Sequence, residues 1–279
     1  MADDPEVPGT HRPTLMAVHA HPDDEASSTG GILARYADEG VRTVVVTCTN
    51  GELGDAPDGE KPDGPNHDEA RVVATRLREL RESCAILGVS DLELLGYHDS
   101  GMMGWSNNEA REAFWQMPVA EAARPLVALM ERYRPEVVVT YDANGFYGHP
   151  DHIQAHRITI AAAEATGIVQ KLYFPAIPMS AIPAFTAMLR AGGVDPPAED
   201  DEVDFGVADE LIAAAVDCSA VVDRKYEALA AHRSQTTDTF FLKLGRELFA
   251  QVFAREYFVR HLDRTGSPTP EDDLFAGLR

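Results

Sequence analysis

The chain has 279 residues, 44% of them apolar and 25% charged, and a formal net charge of −22. That composition supplies a core and excludes a chain disordered throughout. The charge excludes nucleic acid and anionic membrane surfaces as natural partners and suits a neutral or cationic small molecule.

Residues 1–12 read as a flexible tail. The acids at Ala2–Glu6 and Ala198–Asp204 fit a loose tail and a solvated loop. The apolar run Thr14–Ala20 predicts a buried strand, and Ser28–Gly40 a helix on the spacing of Ile32, Leu33, Tyr36 and Ala37. "VRTVVVTCTNGE" is β-branched and reads as a second strand. The Pro, Gly and Asp of "GDAPDGEKPDGPNHD" make a loop, and a long helix follows from Asp68 to Leu87, stopping at Gly88.

The rhythm repeats. "LELLGYHDSG" is a third strand running into a Gly-rich loop, and "VAEAARPLVALMERYR" a helix bent at Pro125. "PEVVVTYD" is a fourth strand, "HPDHIQAHRITIAAAEATG" a loop becoming a helix, and "IVQKLYFPAI" a fifth strand. After Pro178 the pattern loosens. "PMSAIPAFTAMLRAGG" predicts a helix, "DELIAAAVDCS" a strand or a helix, and "SAVVDRKYEALAAHRSQ" and "DTFFLKLGRELFAQVFAREYFV" two helices. The prediction is an α/β fold: a Rossmann-like, mostly parallel sheet with helices on both faces, plus a smaller C-terminal α+β portion. The expected boundaries are the tail at 1–12, a catalytic domain at 13–177, and a C-terminal portion at 178–279 that packs on it and shapes the substrate pocket. Cys48, Cys84 and Cys218 lie far apart in apolar surroundings and read as reduced thiols. With no secretory pattern and no run of membrane-spanning length, the expected location is the cytoplasm.

Three polar clusters follow strand ends, at the edge where open parallel sheets bind ligands. They are His19–Glu25 after the first strand, His98–Gly101 after the third and Tyr141–His152 after the fourth. Neighbouring first and fourth strands would put two of them beside one crevice. Zinc takes imidazole nitrogen and carboxylate oxygen, and a hydrolytic site keeps one position open. His21 and Asp24 lie three residues apart at a helix entrance, and His152 is placed to add a third ligand. Two imidazoles disfavour magnesium, whereas Fe²⁺ takes the same set as Zn²⁺. Asp23 is then the base for an activated water. His149, held by Asp151 or Asp142, would carry positive charge near a developing oxyanion, and Tyr147 would donate a hydrogen bond to it. These are the parts of metal-assisted hydrolysis of an amide or ester.

A plainer reading makes Asp23–Glu25 simply a favourable helix start. Two clusters at one sheet edge weigh against it. His19 reads as packed or supporting, and His67, His156 and His232 as loop or helix-surface residues. Met102, Met103 and Trp105 read as a pocket wall or loop packing, and Glu25 as a group that orients a ligand. There is no phosphate loop, dinucleotide fingerprint or G-x-S-x-G elbow.

"AHPDDE" after the first strand and "TYDANGFYGHPDH" after the fourth resemble the LmbE-like (PIG-L) zinc de-N-acetylases, as do "DSGM", "RLRELRESCAILGV" and the closing "DLFAGL". The likeness covers most of residues 14–170 and is nearest to the actinobacterial mycothiol-pathway branch, an N-acetylglucosaminyl-inositol deacetylase and a mycothiol S-conjugate amidase. It implies His21, Asp24 and His152 as zinc ligands and Asp23 as general base. His149 would stabilise the oxyanion or protonate the leaving amine, with Tyr147 assisting. Arg76 and Asp99 stand where the family contacts the sugar, and Glu52 matches an acid near its pocket. Phe146 is a departure, standing where those relatives usually carry Gly and adding bulk beside Tyr147. The implied activity is hydrolysis of an N-acyl, expected N-acetyl, amide on a small-molecule glucosamine-type sugar. The alternatives are an amidase for mycothiol S-conjugates, a deacetylase of a secondary-metabolite sugar precursor and a non-catalytic metal-binding protein. Homo-oligomerisation is left open.

Overall fold

The computed structural model describes residues 12–191, 206–236 and 239–279. The acidic clusters at 2–6 and 198–204, and all but Arg12 of the expected tail, lie outside the described residues. Five parallel strands form the centre: β1 (Thr14–His19), β2 (Arg42–Thr49), β3 (Asp91–Tyr97), β4 (Val137–Val139) and β5 (Lys171–Pro178). Their spatial order is β3-β2-β1-β4-β5. β1 pairs with β2 on one side (Val18 opposite Val46) and with β4 on the other (Ala17 opposite Val139). The chain therefore winds outward in both directions from β1, and a crevice opens beyond the carboxyl ends of β1 and β4.

The strands alternate their side chains between two cores. Leu15 and Ala17 of β1 face one hydrophobic cluster, with Ile32 and Leu33 of α1 (Asp24–Asp38) and Leu80 and Leu87 of α2 (Glu69–Leu87). Met16 and Val18 face the other, with Leu126 and Met130 of α3 (Val119–Tyr133). A distorted turn, α4 (Gly145–Gly148), leads into α5 (Pro150–Thr166), whose Ile158 and Ala162 complete the second cluster. Helix α2 has the ends its sequence predicts: the Asp68 side chain accepts the Arg71 N–H at 3.2 Å, and Gly88 closes the helix at φ +77°. Helix α1 begins at Asp24, four residues before the expected Ser28, because Asp24 and Glu25 stabilise the first turn.

The C-terminal portion extends the same sheet. Helix α6 (Ile182–Ala191) follows β5; then come β6 (Gly206–Val207), β7 (Ile212–Asp217), α7 (Val222–Ala231) and the short α8 (Arg233–Thr236). The expected long last helix is instead α9 (Phe240–Lys243), α10 (Gly245–Phe253) and a strand, β8 (Arg255–Asp263). β8 runs antiparallel to β5 and β7. Its Tyr257, Phe258 and Val259 favour a strand, and Phe258 is fully buried in the first core. The closing segment is pinned by Glu271, which accepts from Lys171 Nζ and from the Tyr173 hydroxyl at 2.6 Å. Among the described residues no helix is long and apolar enough to cross a membrane.

Candidate active site

The three polar clusters meet at the crevice. Asp24 Oδ2 lies 3.3 Å from His21 Nδ1 and 3.5 Å from His152 Nε2. It also accepts the His21 main-chain N–H at 2.8 Å and the Tyr141 hydroxyl at 2.7 Å. Each imidazole is anchored through its other nitrogen. His21 Nε2 is 3.2 Å from Asp151 Oδ2, and His152 Nδ1 is 3.2 Å from the Gly145 carbonyl. Those anchors leave His21 Nδ1 and His152 Nε2 as lone-pair donors. His152 Nε2 is buried with no hydrogen-bond partner among the described residues. An orphaned nitrogen beside a carboxylate oxygen and a second imidazole is a donor set that fits a transition-metal ion. The imidazole nitrogens of His21, His149 and His152 lie within 4.8 Å of one another. His149 is of a different kind, because its Nδ1 accepts the Asp151 main-chain N–H at 3.1 Å. A neutral ring that accepts there carries its proton on Nε2 and offers a donor rather than a lone pair.

Local sequence explains these placements. Pro150 occupies the first turn of α5, where its missing N–H costs nothing, and His149 caps that turn. His152 follows on the helix. Asp23 takes φ 115° and ψ −26°, a left-handed conformation unusual for a residue with a side chain. Its carboxylate is 26% exposed toward the crevice and is held at 3.2 Å by Arg76. Burial pushes the Asp23 carboxyl up to about 6, against the pull of Arg76. Burial also raises the Asp24 carboxyl, but His152 and His21 outweigh it and hold it well below the usual carboxylate range. Burial above all keeps the Tyr147 phenol protonated, with Asp24 adding to it.

Several expectations are corrected. Burial, followed by the neighbouring His21 and His152, lowers His149 to about 2, so the ring rests neutral and not positively charged. The Asp151 carboxylate does not hold His149. It goes to His21 and to the Ser100 N–H and hydroxyl. Glu52 lies outside the crevice lining, its oxygens taken by the Asn50 amide and the Asp99 N–H, both at 2.9 Å. Phe146 is absent from the lining too; at φ 66°, ψ −62° it is turned onto the second core behind Tyr147. Arg76 lines the crevice, but its guanidinium already serves the Pro22 carbonyl at 2.8 Å, the Gly51 carbonyl at 2.9 Å and Asp23. His232 is fully buried, not on a loop or helix surface, and its Nε2 meets Glu25 Oε1 at 2.7 Å.

Asp99, Tyr147 and His149 line the crevice as expected, with His21, Asp23 and Asp24 at its floor. Leu53, Met102 and Trp105 form an apolar wall. His19 supports from below, bonded to Thr29 at 2.8 Å. Tyr141, Ser100 and His232 were missed as contributors. Tyr141 had a signal, standing between a strand and a run of polar residues; the other two depend on contacts far along the chain.

Fold and site together define a protein with a crevice of imidazoles and carboxylates at the switch point of a Rossmann-like sheet. The chain belongs to the GlcNAc-PI de-N-acetylase (PIG-L) family, whose profile matches residues 16–163. It is 45% identical over 280 residues to a 1D-myo-inositol 2-acetamido-2-deoxy-alpha-D-glucopyranoside deacetylase of Acidothermus cellulolyticus, covering 95% of each chain. A protein of the same name from Geodermatophilus obscurus is 41% identical over 288 residues, covering 95% of this chain and 97% of that one. The protein is thus an N-deacetylase. Among solved structures, an N,N'-diacetylchitobiose deacetylase from Pyrococcus horikoshii matches with a TM-score of 0.58 at 21% identity, covering 92% of this chain and 86% of that one. A deacetylase of teicoplanin biosynthesis matches with a TM-score of 0.56 at 20% identity, covering 88% and 97%. Both likenesses concern the fold.

Proposed function

We propose that the protein is a zinc-dependent deacetylase that removes the acetyl group from the 2-amine of an N-acetylglucosaminyl-inositol-type sugar. The carrying observation is the convergence of His21 Nδ1, Asp24 Oδ2 and the unpartnered His152 Nε2 beside Asp23 and His149. His21, Asp24 and His152 would hold the metal. When bound, such an ion polarises an amide carbonyl and lowers the pKa of a coordinated water from about 16 toward roughly 7. Fe²⁺ fits the same donors. The sugar reading is supported by the names of the relatives at 45% and 41% identity.

The chain's own residues supply the proton traffic. Asp23, with its carboxyl near 6, takes a proton from the attacking water as the new C–O bond forms. His149 donates through Nε2–H, and Tyr147 through its hydroxyl, to the carbonyl oxygen as charge gathers there. The proton held by Asp23 passes to the amine nitrogen as the C–N bond breaks, leaving acetic acid and the free amine. Leu53, Met102 and Trp105 line one side of the crevice.

The test compares turnover on N-acetylglucosaminyl-inositol with turnover on a bulky cysteinyl amide of the same sugar. Faster turnover of the acetylated sugar is expected. The reverse order would replace the deacetylase reading with that of an amidase for thiol conjugates.

A further inference from the structure

Asp23 is an odd place to put a side chain. It is the N-cap of α1, yet its side chain makes no capping hydrogen bond, and its backbone sits at φ 115°. Both facts have one local cause. The Asp23 main-chain N–H donates to Glu25 Oε2 at 3.0 Å. This contact ties the turn from within, and the Asp23 carboxylate faces the crevice, where Arg76 holds it at 3.2 Å. Left-handed backbone at a residue other than Gly persists only where its surroundings over-determine it.

Those surroundings are specific. Glu25 is fully buried, and its other oxygen, Oε1, accepts the Ser83 hydroxyl from α2 and His232 Nε2 at 2.7 Å. Ser83 and His232 are themselves fully buried. His232 comes from the end of α7, 207 residues away in sequence. A buried carboxylate held at both oxygens by three donors has no freedom to drift, and the groups it holds share that rigidity. Arg76, also from α2, grips the Asp23 carboxylate and the Pro22 carbonyl. The turn is therefore clamped at its N–H by Glu25 and at its side chain by Arg76.

We propose that Glu25, backed by His232 and Ser83, is a positioning residue that holds the Asp23 main chain in its left-handed turn and so aims the Asp23 carboxylate at the reacting atoms. Through His232 the C-terminal portion supports the base without lining the crevice. The assignment rests on Asp23 as the base. A misplaced catalytic group costs up to about a hundredfold in rate.

The test uses the full-length, metal-loaded protein with bound metal quantified. His232→Ala is expected to lower kcat about tenfold or more, with KM within about twofold and metal content unchanged. His232→Gln, which keeps a donor, is expected to recover most of that loss. Ser83→Ala, a smaller change, covers the case in which His232→Ala does not fold, and should lower kcat in the same direction. A crystal structure of metal-free His232→Ala should show Asp23 out of the left-handed region. In an Asp23→Asn background, His232→Ala should cost nothing further. An unchanged kcat and an unchanged Asp23 φ would overturn the proposal, as would an equal loss in the Asp23→Asn background. Failure of the base reading shows separately, as near-full turnover in Asp23→Asn alone.

Discussion

Asp24 stands at the centre of the crevice cluster. One of its oxygens faces the imidazoles of His21 and His152 and also takes the Tyr141 hydroxyl, whose ring stacks on His152 with centroids 4.1 Å apart. Tyr141→Phe removes that donor and leaves the Ala20 N–H without its 2.9 Å partner. Outer groups of this kind typically set metal affinity by about 10–100-fold. Tyr141→Phe should weaken metal binding to that extent, read by competition with a chromogenic chelator. Asp23→Ala should behave otherwise, retaining stoichiometric metal while turnover falls by about 10²–10⁴; His21→Ala should lose both. Gly51 belongs to this scale too. At φ +74° it lies against the Arg76 guanidinium, and a Cβ there would collide with it. Gly51→Ala is expected to lower the unfolding midpoint and the turnover together, since Arg76 holds Asp23. At this scale the cluster of His21, Asp24 and His152 was legible, because paired His/Asp motifs after strand ends gather at one edge of a parallel sheet. The directions of Glu52, Phe146 and Asp151 were not legible, because residue type does not say which way a side chain turns. Glu52 and Asp151 spend their oxygens on neighbouring loops, and Phe146 turns toward the core.

The elements up to β5 follow their periodicity closely, since parallel strands buried on both faces read as short apolar runs. β8 was not legible. Its residues continue the spacing of the preceding helix, and its identity depends on pairing with β5 and β7, strands that begin 84 and 43 residues earlier in the chain. The expected single helix breaks twice, between α9 and α10 at Leu244–Gly245, where Gly245 takes φ +70°, and at Ala254 before β8. Two stability predictions belong here. Lys171 and Glu271 are fully buried side chains joining β5 to the closing segment. Glu271 keeps Arg260 at 2.9 Å whatever happens to Lys171, whereas removing Glu271 leaves the buried Lys171 ammonium without its carboxylate, so Glu271→Ala should cost about 3–5 kcal/mol, measured by denaturant unfolding. Ile158 is fully buried in the core beneath α5. Ile158→Ala should cost about 2–5 kcal/mol and loosen the helix that carries His152.

For the molecule as a whole, the net charge of −22 and the crevice acids are consistent with a neutral sugar ligand rather than a polyanion. The sheet converts sequence distance into proximity. His21 and His152 lie 131 residues apart, yet their ring centroids are 5.2 Å apart because β1 and β4 are neighbours. That neighbourhood is the condition the motifs required, and the topology supplies it. The proposed role of this convergence is to bind a catalytic transition metal. It is tested most directly by elemental analysis of the purified protein together with turnover on N-acetylglucosaminyl-inositol. The expected result is about one transition-metal ion per chain, with His152→Ala losing metal and turnover in parallel. Full turnover in protein that contains no transition metal would contradict it.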